Sequence, residues 1–213
     1  MPSPGDFALF VVSAVVILLI PGPAVLYIVT RSIDQGRAAG MASVLGVTTG
    51  TLIQISFAVV GLSSLILASA IAFDVVKYAG AAYLLFLGVK RLLSKEHVDL
   101  RADREPRTLR RLYMQGVIVN TLNPKTALFI FALLPQFVDA DAGRVWLQIL
   151  VLGLTLCVLG LASDSLYALA AGTVADRLRG SRAMARIERW VGGTTLVGLG
   201  VFAAAVSRPT SSG

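Results

Sequence analysis

Five long stretches of this chain are almost free of charge. Residues 7–30, 38–73 and 190–207 carry none, and residues 112–138 and 145–175 carry one each. Crossing the hydrocarbon core as helix takes about 20 largely apolar residues. One such run can be the core helix of a soluble protein, but five in series cannot. The chain is 56% apolar and 15% charged, against roughly 25% charged in a soluble domain, so there is too little charge to cover a water-facing surface. The expected fold is an all-α integral membrane protein with six transmembrane helices, at about 7–30, 39–65, 75–93, 112–137, 145–173 and 190–207. As one helix the run 38–73 would extend about 54 Å, too long for a single span, so an exit is expected near Gly61 to Ser64.

The net charge of +7 does not point to nucleic acid, because the cations lie between the apolar runs. Loops after the first, third and fifth spans hold 14 of the 19 basic residues, and the opposite side holds three, Lys77, Arg144 and Arg208. Positive-inside bias then puts both termini outside the cytoplasm. Residues 1–6 contain no Lys or Arg; a signal peptide opens on positive charge, so the first apolar run is expected to stay in the mature protein. The loop 91–111 mixes both signs and is expected to be solvated, with lipid-headgroup binding as the alternative.

The two halves of the chain resemble each other. Residues 77–89 and 189–201 agree at five of thirteen positions, including Gly80 with Gly192 and Gly88 with Gly200. Pro23 pairs with Pro124, and Gly46 and Thr48 pair with Gly153 and Thr155, at offsets that rise in order. Three spans per copy is an odd number, so the second copy enters the membrane upside down. This gives two inverted three-helix repeats, residues 1–93 and 112–213, joined by the charged cytoplasmic loop 94–111. Inverted repeats are a recurrent plan of secondary transporters, with the substrate held at mid-membrane between the halves. Chance agreement between small residues and leucines is the competing explanation.

Candidate functional residues follow from what a bilayer penalises. Proline removes a helical hydrogen bond and crowds the carbonyl four residues back, and in lipid the freed groups must find protein or a water-lined cavity. Pro21-Gly22-Pro23 interrupts the first span severely, and Asn123-Pro124 breaks the fourth at the matching place. Either proline alone could be a packing kink, whereas the pair marks a transport site whose half-helix ends can hold a carboxylate or an ammonium. Lys125 and Asp164 are the only charges deep in the apolar runs, both roughly 15–20 Å from the cytoplasmic side at 1.5 Å per residue. A central charge is costly unless paired or hydrated. These two could share a site, a zwitterion offering its carboxylate to Lys125 and its ammonium to Asp164, or form a structural ion pair. Asn120, Gln54, Thr48, Thr49, Tyr27 and Tyr167 could add polar groups, though each singly suits an interhelical hydrogen bond. Gly36 with Gly40, and Gly46 with Gly50, fit close helix contact.

Enzyme chemistry finds no support. The single cysteine, Cys157, sits in an apolar run as a packing residue, and the single histidine, His97, lies in the polar loop. Together they build no zinc or haem site and no thiol-redox pair, and no phosphate-binding Gly-x-x-x-x-Gly-Lys motif is present. No cofactor or metal is expected. The partners are a small solute and the lipid bilayer, with homo-oligomerisation left open. A passive channel remains the alternative to an exporter.

Pro21-Gly22-Pro23, the glycines from Gly36 to Gly50, the Gly80-Ala-Ala-Tyr-Leu-Leu-Phe-Leu-Gly88 stretch and Asn120-x-x-Asn123-Pro124-Lys125 resemble the LysE/RhtB family of bacterial amino-acid exporters, in order over nearly the whole chain. The resemblance implies export of amino acids or close derivatives from the cytoplasm across the bacterial inner membrane, driven by an ion gradient or the membrane potential. It places Pro21, Gly22, Pro23, Asn123, Pro124, Lys125 and Asp164 on family motif positions. It does not choose among amino acids.

Overall fold

Proline and glycine divide the first apolar run into two helices. The structure, a computed structural model, describes residues 2–62 and 107–173, with Tyr78, Ala82, Phe86, Val89, Leu93, Val197 and Val201 as single positions in helical turns. Helix α1 (Pro4–Leu19) starts at Ser3, whose hydroxyl accepts from the Asp6 amide. Helix α2 (Pro23–Gln35) starts on a proline, whose missing N–H is no loss in a first turn. The two are bent by 49°. At the end of α2, Gly36 has φ +84, a conformation that favours glycine. The chain then enters α3 (Arg37–Phe57), which continues through a π-turn, Ala58–Leu62.

The fourth apolar run is divided in the same way. Helix α4 (Leu109–Thr121) is capped by the Thr108 side chain, and α5 (Pro124–Leu128) is capped by the Asn123 side chain. From α5 the chain continues through a π-turn, Phe129–Leu133, and a 3-10 turn, Leu134–Phe137. The bend between α4 and this segment is 46°. Helix α6 (Val145–Thr173) is continuous, with the bounds expected for the fifth span. Helices α3 and α6 are each long and apolar enough to cross a membrane, and so is each bent pair taken as one span. No strand occurs among the described residues.

Four expectations need correction at the level of boundaries, the first being that the opening span runs from Pro4 to Gln35 rather than over 7–30. The second span begins at Arg37 rather than Ala39, and the fourth at Leu109 rather than Leu112. Arg31, counted above with the first loop, lies inside α2 and is buried, its guanidinium 5.6 Å from the centre of the Tyr27 ring. The spans expected at 75–93 and 190–207, the 77–89 and 189–201 match, and the loop 94–106 with His97 lie outside the described residues, apart from the single positions above.

Small residues let the helix backbones touch. A Cβ on Gly46 would run into the Tyr113 carbonyl, one on Gly50 would lie 2.9 Å from the Val117 carbonyl, and one on Gly116 would lie 2.8 Å from the Ser43 carbonyl. Helices α3 and α4 therefore meet through facing glycines, the usual device where lipid offers no hydrophobic drive to associate. The Tyr113 carbonyl cannot swing aside as a side-chain tip would. Gly46→Val is expected to cost roughly 1–3 kcal/mol or more through overpacking, read as a lower unfolding midpoint of the detergent-solubilised protein. Gly5→Ala, where the nearest atom would be an ordinary 3.8 Å away, serves as the control. Equal midpoints for Gly46→Val and wild type would remove the close-contact account.

The two largest of the three apolar clusters among the described residues hold most of the bundle. One joins Phe10, Ala14 and Ile17 of α1 to Ile55 of α3, to Phe129, Ile130 and Leu133 after α5, and to Ile149, Leu152 and Leu156 of α6. Phe10 anchors it, edge-on to Phe137 at 5.4 Å and tilted against Phe129 at 5.8 Å. The other joins Ala24 and Ile28 of α2 to Val44 and Val47 of α3 and Ala168 of α6. The first bent pair breaks between them, with Ile17 in one cluster and Ala24 in the other.

Candidate functional site

Each break leaves carbonyls without helical partners, and side chains from other helices supply the missing donors. Pro23 has no N–H for the carbonyl of Leu19, four residues back; the Tyr167 hydroxyl of α6 donates to it at 2.7 Å. The next carbonyl, Ile20, accepts from the Lys125 ammonium. At the second break Pro124 has no N–H for the Asn120 carbonyl, which accepts instead from the Asn123 amide at 3.0 Å and the Gln54 amide of α3 at 2.9 Å; Gln54 also donates to the Thr121 carbonyl at 3.0 Å. Both breaks are thus held open by specific partners.

Around the second break lies a closed polar network. The Asn120 amide donates to the Val47 carbonyl and to the Thr51 hydroxyl, both at 2.8 Å. Its side-chain oxygen accepts from Asn123 at 3.1 Å and from Thr126 at 3.2 Å. The Asn123 oxygen caps α5 by accepting from the Lys125 amide at 3.1 Å. Helix α2, by contrast, starts at Gly22 with no side-chain cap.

A cavity of about 50 Å³ opens between the breaks. Gly22, Ala24 and Val25 line it from the first break, and Asn120, Asn123, Lys125 and Thr126 from the second. Thr48 and Thr51 of α3 and Cys157, Gly160 and Asp164 of α6 complete its wall with apolar residues of both clusters. Asp164 is 7% exposed, and among the described residues nothing hydrogen-bonds to its carboxylate. Lys125 and Asp164 face the same space without forming a direct ion pair. The cavity therefore presents the Asp164 carboxyl group, a lysine tethered to the carbonyl end of α1 and the uncapped N-terminus of α2 within one apolar enclosure.

The residues singled out from sequence fall into three groups. Gly22, Asn120, Asn123, Lys125 and Asp164 line the cavity, while Pro21, Pro23 and Pro124 make the breaks that border it. Of the auxiliary polar residues, Thr48 reaches the cavity. Tyr27 donates to the Leu112 carbonyl at 2.7 Å, Thr49 bonds the Tyr113 hydroxyl at 3.0 Å, and Gln54 and Tyr167 cap breaks. Thr51 and Thr126 went unnoticed because hydroxyls are common in apolar helices and only the bend brings these two to Asn120. Cys157, expected as packing, does belong to the larger apolar cluster and also borders the cavity. Among the described residues no group of His, Cys, Asp and Glu could hold a metal ion.

A bundle of apolar helices with two broken members around a charged cavity defines a membrane protein of the transporter type. Residues 15–207 match the LysE type translocator family, and the chain belongs to that family, whose members are transporters and not enzymes. It is 32% identical over 183 residues to the homoserine/homoserine lactone efflux protein of Salmonella typhimurium, covering 86% of this chain and 88% of that protein. It is 34% identical over 155 residues to the uncharacterized membrane protein YrhP of Bacillus subtilis, covering 68% and 73%. A membrane protein of Vibrio cholerae is 27% identical over 195 residues, covering 92% and 94%. No solved structure matches.

Proposed function

We propose that this protein is a secondary exporter that carries amino acids or close derivatives, homoserine and its lactone foremost, out of the cytoplasm through the cavity between its two broken helices. The observation that carries this reading is the cavity itself: two breaks, one in each half of the chain, face a buried and unpaired Asp164. A carboxylate so placed favours an ammonium-bearing solute. The uncapped start of α2, with its backbone N–H groups and positive helix end, favours a carboxylate or an ester carbonyl. The relatives from Salmonella support the substrate class, since their names give homoserine and homoserine lactone. Efflux is driven by an ion gradient or the membrane potential.

In this reading six helices cross the bacterial inner membrane as two inverted halves, residues 1–93 and 112–213, joined by the cytoplasmic loop 94–111. Moving Arg31 from the loop into α2 leaves 13 cytoplasmic-side cations against three, so both termini stay outside. A reporter active only outside the cytoplasm should work when fused after Gly213 and fail when inserted near Arg104; the reverse pattern would overturn the orientation. Function is tested by counterflow in proteoliposomes loaded with a mixture of amino acids and homoserine lactone, read by mass. Saturable counterflow of a subset is expected. Unsaturable flux down every gradient would mean a passive channel.

A further inference from the structure

The Lys125 ammonium occupies a place built for a cation. Helix α1 points its carbonyl end, the negative end of its dipole, at the break. The Ile17 carbonyl is taken by the Ile20 amide at 3.3 Å and the Leu19 carbonyl by Tyr167 at 2.7 Å. The Ile20 carbonyl is left to Lys125. Across the cavity Asp164, more than nine-tenths buried, has no hydrogen-bonding partner among the described residues. The lysine stem lies along Gly22, where a Cβ would come within 3.0 Å of Lys125 Cδ and 3.6 Å of Nζ. Gly22 has φ −124, which any residue adopts, so it is the passage of the lysine that excludes a larger side chain.

These signs argue against Lys125 as the receptor for a substrate carboxylate. An anion on Nζ in this position would sit between a helix carbonyl end and a carboxylate, repelled by both. We propose instead that Lys125 is an internal stand-in for the ammonium of the substrate. In the empty carrier its Nζ fills the cation seat between the Ile20 carbonyl and Asp164; an incoming primary ammonium takes that seat and Lys125 is released. This rests on the exporter reading above and narrows it. The required group is the primary ammonium, and a carboxylate is dispensable, which is the chemistry an amino acid and its lactone share. The size of the cavity agrees: about 50 Å³ holds about four waters at roughly 10–15 Å³ each, so a solute must gain the space of the lysine head to enter.

The exchange has a kinetic consequence. With Lys125 seated the empty site is charge-balanced and can cross between its two orientations. Without it the empty site strands the Asp164 carboxylate in a low dielectric, and only a loaded carrier can cross.

The test compares two fluxes of labelled homoserine in proteoliposomes, exchange against internal homoserine and net efflux into buffer, for wild type, Lys125→Ala and Lys125→Gln. For both variants the expected result is a ratio of net efflux to exchange at least about 10-fold below that of wild type, with exchange still measurable. Added methylammonium, a free cation for the vacated seat, should restore net efflux in Lys125→Ala. N-acetylhomoserine should compete in none of them. Loss of exchange together with net efflux in folded variants would overturn the inference and return Lys125 to carboxylate binding. Failure of both variants to fold, judged by size-exclusion chromatography, would also overturn it, because a displaceable side chain cannot be required by the fold. Wild type exchanging no solute in the counterflow mixture would sink the exporter reading and the inference together.

Discussion

Replacing Asp164 by Asn is expected to cut homoserine efflux from proteoliposomes at least about 100-fold, equivalent to roughly 2.7 kcal/mol, while the protein stays folded. The carboxamide has the shape of the carboxylate, so packing in α6 is kept. The negative charge facing the cavity is lost, and with it the attraction for an incoming ammonium. Lys125 keeps its hydrogen bond to the Ile20 carbonyl, so the break itself persists. Asp164→Ala should be as inactive and less stable. The double replacement Lys125→Met with Asp164→Leu separates a structural pair from a substrate site. Removing both charges of a merely structural pair is often neutral for stability, so a structural pair predicts recovery of transport as well as folding. A substrate site predicts a folded, inactive protein, which is the expected outcome. Asp164→Asn moving homoserine at the wild-type rate over the whole accessible pH range would show that the carboxylate neither balances nor binds a charge.

Much of this arrangement was legible in the sequence, for identifiable physical reasons. A break in a membrane helix needs a residue that cannot continue it, and Pro21-Gly22-Pro23 and Asn123-Pro124 advertise that locally. An uncompensated charge in an apolar run is equally visible, which singled out Lys125 and Asp164. Glycines four apart flagged the surface of α3 that meets α4. What stayed hidden depends on contacts distant in sequence. Tyr167 caps a carbonyl 148 positions away, and Gln54 caps carbonyls 66 and 67 positions away; either side chain read alone is a polar residue in an apolar helix. The burial of Arg31 was hidden because an arginine near a span end ordinarily marks a loop, whereas here it stacks on the Tyr27 ring one turn earlier. Sequence alone ties Lys125 to Asp164, in a shared substrate site or an ion pair, because charge counting supplies Asp164 as its only deep counterion. The chain carbonyl it reaches has no formal charge and leaves no trace in composition.

Asn120→Leu is expected to be the most destabilising single change among the polar residues around the cavity. The Asn120 side chain is 1% exposed and makes four hydrogen bonds, two as donor and two as acceptor. Leucine fills nearly the same volume, so the cost comes from the partners left behind. The Val47 carbonyl keeps its helical bond within α3 and the Thr51 hydroxyl at 3.3 Å but loses the Asn120 donor, while Asn123 and Thr126 lose a shared acceptor. Hydrogen bonds between membrane helices average about 0.6 kcal/mol, whereas a buried group left unsatisfied costs about 1–3 kcal/mol. Together these put the loss at roughly 2–4 kcal/mol, read as the drop in unfolding free energy in detergent. Thr126→Val removes one of the four bonds and should cost less than about 1 kcal/mol. Because Asn120 and Asn123 share a hydrogen bond, Asn120→Leu with Asn123→Ala should cost less than the sum of the two single changes. Strict additivity, or Asn120→Leu as stable as wild type, would mean that the second break is held by Pro124 and Gln54 alone. A sub-additive cycle with activity lost in Asn120→Leu would instead make this network the element that fixes α5, and with it Lys125, against the α1 carbonyl end.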